Sequence, residues 1–114
     1  MSIILDIDGT VLRSGIYPIQ KTIDYVNGLG ETVDIVTGRT KANRAATEQY
    51  LKKAGVKYSR LYMNPYSTKE SLKFKKEMAN SLKGQATLAI DNDAEARQAY
   101  AAKGIKTLDP ASIK

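Results

Sequence analysis

The feature that most constrains the fold is a regular alternation between short apolar runs and longer amphipathic stretches, which continues along the whole chain of 114 residues. Five apolar runs have the length of buried strands, at residues 2–7, 32–36, 59–63, 86–90 and 105–108. The amphipathic stretches predict helices at residues 18–28, 40–54, 67 to about 83, and 93–103. Strands separated by helices of this length favour a parallel sheet with helices on both faces, so we expect an α/β, three-layer, Rossmann-like fold with about five strands.

Local signals mark the ends of these helices. Pro18 lies in the first turn of the first helix, and Gly55 follows the second. Ser67 and Glu70 form a capping-box signature that opens the third helix, and Asp93 is a natural cap for the fourth.

No linker, low-complexity segment or internal repeat interrupts the pattern, so we expect residues 1–114 to form a single domain. No apolar stretch approaches the ~20 residues of a membrane span, and residues 1–8 lack the pattern of a signal peptide. These features predict a cytoplasmic protein with no membrane partner, and they leave the oligomeric state open.

The chain contains neither cysteine nor histidine. Disulfide scaffolds, thiolate zinc sites, Ser-His-Asp triads and Cys-His pairs are therefore excluded. Any catalysis must use carboxylates, lysine, arginine, hydroxyl groups and a hard metal ion.

Two acids stand at the end of the first predicted strand, in the run Asp6-Ile7-Asp8-Gly9-Thr10. Alternation along a strand places both carboxylates on one side of the backbone, which is costly unless a cation lies between them or one is protonated. A functional site explains this pairing. The alternative is an acidic turn, in which Asp and Gly serve turn geometry alone.

Polar residues also end two other predicted strands. Thr37, Gly38 and Arg39 follow the second strand, and Asp91 follows the fourth. Each could simply begin the next helix, but parallel strands bring their carboxyl ends to one edge of the sheet, where ligands bind at the reversal of strand order. The coincidence of three polar strand ends favours a site at that edge.

One lysine of the third predicted helix faces inward. At about 100° per residue, five apolar side chains share one face: Leu72, Phe74, Met78, Ala79 and Leu82. Lys75 falls in the middle of this face, whereas Lys69, Lys73 and Lys76 lie outside it. A lysine on a core face needs an anionic partner, and the acidic strand ends could supply one.

Positive charge is concentrated in the middle of the chain. The net charge is +6, and residues 41–83 contain 11 basic and 3 acidic residues, a local net charge of +8. Such a segment could attract a nucleic acid or a phosphorylated ligand. The alternative is a set of lysines that only solvate helix surfaces.

Together these residues resemble the haloacid dehalogenase superfamily of phosphohydrolases over essentially the whole chain. The first motif of that family is similar to the run Asp6-Ile7-Asp8-Gly9-Thr10-Val11. The second motif resembles Thr37 with Gly38 and Arg39, the third Lys75, and the fourth Asp91. The order and spacing of all four make the joint match specific.

The fourth motif departs from the common family pattern. Ile90 precedes Asp91 where the family often has glycine, and Glu95 takes the place of a later aspartate. The second acid of this motif therefore stays open among Asn92, Asp93 and Glu95.

The resemblance implies four catalytic residues. Asp6 would attack phosphorus to form an aspartyl-phosphate, and Asp8 would protonate the leaving oxygen and later activate water. Thr37 would hold phosphate oxygens, and Lys75 would neutralise charge on the phosphoryl group and Asp6. Further substrate contacts are expected from Thr10, Gly38 and Arg39.

The resemblance also implies a Mg²⁺ cofactor. Its protein ligands would be the Asp6 carboxylate, the backbone carbonyl of Asp8 and the Asp91 carboxylate. Such an all-oxygen set suits a hard octahedral ion.

The sequence leaves no room for the cap domain that many family members carry, because only residues 11–18 separate the first motif from a helix. An open site suits a bulky substrate. The chain is similar in this respect to the phosphatase domains of polynucleotide kinase-phosphatases, which implies 3′-phosphorylated nucleic acid ends as substrate. Six residues are candidates for holding a single-stranded end: Tyr17, Arg39, Arg44, Tyr62, Tyr66 and Lys69.

Three other functions are compatible with parts of this pattern. The first is a phosphatase for a small metabolite or nucleotide, with a neighbouring subunit as lid. The second is a noncatalytic nucleic-acid-binding domain, which leaves the clustered acids unexplained. The third is a phosphoacceptor receiver domain, which would place its acidic pair and its acceptor on different strands.

Overall fold

The computed structural model describes residues 1–114. Seven strands are formed: β1 Ser2–Leu5, β2 Leu12–Arg13, β3 Tyr17–Pro18, β4 Thr32–Thr40, β5 Arg60–Asn64, β6 Ala86–Ile90 and β7 Lys106–Leu108. Four α-helices are formed: α1 Gln20–Asn27, α2 Arg44–Ala54, α3 Ser71–Leu82 and α4 Ala94–Ala101. Three 3₁₀ turns complete the chain, at Lys41–Asn43, Thr68–Glu70 and Pro110–Ser112. None of the helices is long and apolar enough to span a membrane.

Five of the strands form one parallel sheet in the order β5-β4-β1-β6-β7. The chain runs outward from β1 through β4 and β5, and then returns to the other side of β1 to form β6 and β7. Leu5 pairs with Ile35 of β4 and with Ile90 of β6, so the carboxyl ends of these three central strands meet. The strand order reverses at β1, where a ligand site is expected.

Helices cover both faces of this sheet. On one face, α1 and α2 pack over a core that includes Ile3, Leu5, Ile23, Ile35 and Leu51. On the other face, α3 and α4 pack over a second core that includes Ile4, Val36, Phe74, Ala89 and Tyr100. Alternate residues of β1 and β4 therefore serve opposite cores, as expected for a central strand buried on both sides. The predicted α/β, three-layer architecture is confirmed.

The segment between the first motif and α1 is a β-hairpin, which the sequence pattern did not predict. Ser14 and Gly15 have φ values of 52° and 77°, and the Ile16 N–H donates to the Arg13 carbonyl at 3.2 Å. This left-handed turn lets β2 pair antiparallel with β3. Pro18 consequently belongs to β3, and α1 begins at Gln20 rather than at residue 18.

Strand β4, which corresponds to the strand predicted at residues 32–36, is longer than predicted. β4 continues to Thr40 because Thr40 still pairs with Asn64 of β5, after an irregularity that follows Thr37. The next helix therefore starts late, with α2 beginning at Arg44 after a 3₁₀ turn.

The capping box predicted for the third helix does not form. The Ser67 hydroxyl lies 3.4 Å from the Glu70 carboxylate, and neither side chain caps a backbone N–H. A 3₁₀ turn takes up residues 68–70, and α3 begins at Ser71. Asp93 does cap α4, since its carboxylate accepts from the Ala96 N–H at 3.2 Å.

Candidate active site

A buried lysine joins the ends of two central strands. Lys75 of α3 donates to Asp6 Oδ1 at 3.0 Å and to Asp91 Oδ2 at 2.7 Å. All three residues are buried, with exposures of 6% for Lys75, 4% for Asp6 and 1% for Asp91. Helical phase predicted an inward-facing Lys75, and the structure places its ammonium between the two carboxylates.

Thr10 fixes the other oxygen of Asp6. Its hydroxyl donates to Asp6 Oδ2 at 2.8 Å and accepts from the Asn92 N–H at 3.2 Å. The turn that returns Thr10 to the Asp6 side chain requires glycine at position 9. Gly9 has a φ of 79°, and a Cβ there would collide with the Asn92 side chain. The turn after β1 is thereby tied to the loop after β6.

This buried group carries a surplus of negative charge, because two carboxylates share one ammonium. Burial, followed by the charge of Asp91, raises the pKa of Asp6 to about 7, although Lys75 acts in the opposite direction. Burial alone would lower the pKa of Lys75, but the charges of Asp6 and Asp91 outweigh it and raise that pKa. A further cation beside Asp6 and Asp91 would balance the charge.

Asp8 lies outside the buried group and pairs with Arg39. Arg39 donates from Nη2 to Asp8 Oδ1 at 2.8 Å and from Nε to Asp8 Oδ2 at 3.0 Å, a bidentate contact. The hydrogen bond to Asp8 is the main cause of the raised pKa of Arg39. The Asp8 side chain is 52% exposed and that of Arg39 16%.

Arg39 also holds the hairpin. Its Nη2 donates to the Gly15 carbonyl at 2.9 Å, at the turn between β2 and β3. Arg39 was predicted to contact substrate. In this structure its guanidinium contacts Asp8 and the hairpin, and Arg39 also lines a polar cleft at this edge of the sheet.

Thr37 and Gly38 lie next to this arginine. Thr37 is fully buried, and its hydroxyl accepts from the Arg39 N–H at 3.0 Å, which leaves the hydroxyl proton free to donate. A Cβ on Gly38 would collide with the Ser71 side chain, so only glycine allows β4 to approach the start of α3 this closely.

The sequence reading missed Asn64, at the end of β5. Asn64 is fully buried, and its Nδ2 donates to the carbonyls of Gly38 at 3.1 Å and Ser67 at 2.8 Å. Its Oδ1 accepts from the Tyr66 N–H at 2.8 Å. Asn64 thus ties the end of β4 to the segment before α3, and the rule applied to the other strand ends would have found it.

A cleft of about 280 Å³ opens at this edge of the sheet, and four of the buried polar residues do not line it: Thr10, Thr37, Asn64 and Asp91. Eight residues line it, and none is apolar: Asp6, Asp8, Gly38, Arg39, Thr68, Ser71, Lys75 and Asn92. Thr68 and Ser71 were not predicted, because the sequence reading placed them inside a helix without assigning them a role. A small cleft with wholly polar walls suits a strongly hydrated group such as phosphate.

The structure gathers no cluster of three or more acidic side chains that could hold a metal ion. The Mg²⁺ ligand set that the family resemblance implies contains only two carboxylates, those of Asp6 and Asp91, together with the backbone carbonyl of Asp8. Both carboxylates lie within hydrogen-bond distance of one ammonium, and their surplus negative charge fits a divalent cation.

The three candidates for the second acid of the fourth motif differ in their surroundings. The Asp93 N–H donates to Asp91 Oδ1 at 2.9 Å, while its own carboxylate caps α4. Asn92 lines the cleft, and Glu95 is exposed in the first turn of α4. The Asp93 carboxylate is therefore already engaged in the cap of α4, whereas the Glu95 carboxylate is exposed.

Several residues proposed to hold a nucleic acid end are engaged with the protein. Arg44 pairs with Glu48 at 3.3 Å and donates to the Leu61 carbonyl at 3.2 Å. The Lys73 ammonium lies 4.2 Å from the centre of the Tyr66 ring and covers it.

Other members of that set have different surroundings. The Tyr66 hydroxyl donates to the Glu77 carboxylate at 2.7 Å, and the Tyr62 hydroxyl accepts from Arg60 at 3.4 Å. Tyr17 is 58% exposed on the hairpin, and Lys69 is exposed before α3. Tyr17 and Lys69 therefore remain the members of the set most available to a ligand.

No protein-family model and no curated protein matches the sequence. Among solved structures, a chain of the Pnkp1/Rnl/Hen1 RNA repair complex aligns with 95% of this chain at 22% identity and a TM-score of 0.75. A chain of another Pnkp1/Rnl/Hen1 complex aligns with 95% of this chain at 21% identity and a TM-score of 0.69.

This chain spans 41% and 44% of the lengths of those two chains. A glycerol phosphate phosphatase from Mycobacterium tuberculosis, in complex with calcium, aligns at 18% identity with a TM-score of only 0.42. At such identities the first two likenesses establish the fold alone, which is the three-layer, Rossmann-like α/β fold.

Proposed function

We propose that the chain is a Mg²⁺-dependent phosphomonoester hydrolase that works through an aspartyl-phosphate on Asp6. The observation that carries this proposal is the buried contact of Lys75 with both Asp6 and Asp91, at 3.0 Å and 2.7 Å. A binding module would gain nothing from two buried carboxylates around one ammonium. A phosphoryl-transfer site needs fixed charges of this kind, because its catalysis is mainly positioning and charge stabilisation.

The first step is displacement at phosphorus by the Asp6 carboxylate. The bond from the carboxylate oxygen to phosphorus forms, and the bond from phosphorus to the ester oxygen breaks. Thr10 and Lys75 each hold one Asp6 oxygen, so the carboxylate enters the reaction already oriented. Lys75 and the Thr37 hydroxyl stabilise the charge on the phosphoryl oxygens.

Asp8 handles the protons of both steps. In its protonated form Asp8 donates a proton to the leaving alkoxide. The resulting carboxylate accepts a proton from the water that hydrolyses the aspartyl-phosphate and releases inorganic phosphate, which regenerates the acid. Its 52% exposed side chain is accessible to both the leaving group and water. Arg39 orients this carboxylate through the bidentate contact.

The carboxylates of Asp6 and Asp91, with the backbone carbonyl of Asp8, are the residues that would hold Mg²⁺. When bound, the ion supplies positive charge that screens the repulsion between an anionic phosphate and an anionic nucleophile.

For the substrate we propose 3′-phosphorylated nucleic acid ends, in a single domain without a cap. The β1 to β4 connection contains only the hairpin and α1, and three residues join α3 to β6, so no insertion covers the cleft. The local charge of +8 in residues 41–83 and the likeness to a chain of an RNA repair complex both support this substrate.

The activity is tested with a small aryl phosphate and Mg²⁺. Asp6→Asn should lower turnover at least about 10³-fold, because an amide cannot attack phosphorus. Glu31→Gln, which neutralises an exposed carboxylate away from the cleft, should leave turnover unchanged. Wild-type turnover in Asp6→Asn, or in excess chelator, would refute the mechanism.

The substrate is tested separately by a salt series. The kcat/KM for a 3′-phosphorylated oligonucleotide should fall steeply with salt through counterion release, whereas that for the aryl phosphate should change little. If the oligonucleotide is no better at low salt and both values fall in parallel, a small phosphate ester is the substrate.

A further inference from the structure

A second cleft lies at the opposite end of the sheet from the candidate active site, beside the amino ends of β1, β4 and β5. Its volume is about 320 Å³, and seven residues line it: Met1, Ser2, Thr32, Asp34, Arg60, Gly84 and Gln85. Met1 is its one apolar lining residue. None of the seven takes part in the proposed phosphate chemistry, so this amino-edge cleft is a separate surface.

Two buried polar groups of the amino-edge cleft lack partners. Asp34 is only 2% exposed, and its Oδ1 has no hydrogen-bond donor. Ser2 is 6% exposed, and its hydroxyl also has no partner. A buried carboxylate without a donor is strongly unfavourable, and native proteins rarely leave such a group unsatisfied.

The neighbouring cation does not satisfy Asp34. Arg60 pairs with Asp34 in the register of β4 and β5, but its Nη1 donates to the Tyr62 hydroxyl at 3.4 Å. The hydrogen bond to Tyr62 is the main cause of the raised pKa of Arg60, and the charge of Asp34 contributes less. The α-amino group of Met1 does not donate to Asp34 Oδ1 either.

We propose that the amino-edge cleft binds a cationic N–H donor, an alkylammonium or guanidinium group, with the Asp34 carboxylate and the Ser2 hydroxyl as its acceptors. An ionised carboxylate can only accept hydrogen bonds, so the ligand must supply the donors. A cationic donor also balances the charge that a neutral ligand would leave buried. This inference does not depend on the proposed phosphatase function.

The test is an NMR titration of the ¹⁵N-labelled chain with agmatine, which carries both an ammonium and a guanidinium. Saturable shifts are expected at the amides of Ser2, Asp34, Arg60 and Gln85. Asp34→Asn should raise the Kd about tenfold or more, because a charge-assisted hydrogen bond is lost. The matched variant Glu31→Gln loses the same charge from an exposed carboxylate outside the cleft, and its Kd should stay within about twofold.

A second variant keeps the test informative if Asp34→Asn folds poorly. Ser2→Ala removes one acceptor without changing charge, and it should weaken agmatine binding by a smaller factor than Asp34→Asn does. Absence of saturable shifts in the wild-type chain would overturn the proposal. Equal weakening by Asp34→Asn and Glu31→Gln would overturn it too, since that outcome means nonspecific charge attraction.

Two further probes distinguish the sources of the cation. Putrescine represents a free amine, and a capped tripeptide with a central arginine represents a basic side chain of another protein. Binding of agmatine and putrescine without the tripeptide identifies a free amine as ligand. Binding of the tripeptide identifies a docked side chain, and either result supports the shared chemistry.

Discussion

The candidate active site contains two charged groups that differ in burial and in charge balance. Asp6, Lys75 and Asp91 are nearly inaccessible to solvent and combine two carboxylates with one ammonium. Asp8 and Arg39 form a one-to-one pair whose carboxylate is half exposed. The buried group therefore has a strong, uncompensated field, whereas water screens the outer pair. The proposed mechanism assigns nucleophile and metal chemistry to the buried group, and proton transfer to the outer pair.

The largest effect is expected for Lys75→Ala, which removes the only cation from the buried group. Two unpaired buried carboxylates should destabilise the fold by about 3–5 kcal/mol, measured by urea unfolding at pH 8. Lys73→Ala is the matched control on the same helix, because Lys73 is exposed and lies 3.6 Å from Glu70. Equal losses in the two variants would mean that the burial of Lys75 has no energetic consequence.

Asp6→Asn should have the opposite effect on stability. The pKa of Asp6 is about 7 in the fold and near 3.8 without it, so the folded state binds more protons between these values and loses stability as pH rises. Asparagine removes this penalty and leaves Lys75 and Asp91 as a balanced pair. In chelator at pH 8 the variant should be more stable by about 2–4 kcal/mol, with no gain near pH 3. A gain that does not depend on pH would contradict the charge argument.

Mg²⁺ should stabilise the wild-type chain through the same surplus charge. An increase in unfolding free energy of about 1–3 kcal/mol is expected at saturation, measured by thermal unfolding with and without chelator. Asp91→Asn should abolish this increase, and Arg39→Ala should retain it. An increase that persists in Asp91→Asn would place the ion outside the buried group.

The smallest effect on stability is expected for Arg39→Ala. The Asp8 side of the pair is half exposed, but Arg39 also donates to the Gly15 carbonyl, so its loss should cost about 1–2 kcal/mol in urea unfolding. Catalysis should respond more, and alkyl phosphates, whose leaving groups need protonation, should slow more than aryl phosphates. A stability loss as large as that of Lys75→Ala would remove the distinction between the two groups.

The periodic pattern of apolar residues predicted the parallel sheet and its two helical layers, because burial on both faces demands continuous apolar strands. Polar strand ends and helical phase placed Asp6, Thr37, Lys75 and Asp91 at one edge of that sheet. These are local properties of the chain, and they can be read without knowing which segments meet.

Contacts between distant segments were decided by the tertiary structure alone. The bidentate pairing of Arg39 with Asp8, the hairpin contact at Gly15 and the brace from Asn64 each join residues far apart in sequence. The Ser67 capping box failed because residues 68–70 form a 3₁₀ turn next to the crowded contact of Gly38 with Ser71. The sequence by itself thus determined which side chains reach the edge of the sheet. Only packing decided how their charges pair, because the energy of a charge depends on its burial and its nearest partner.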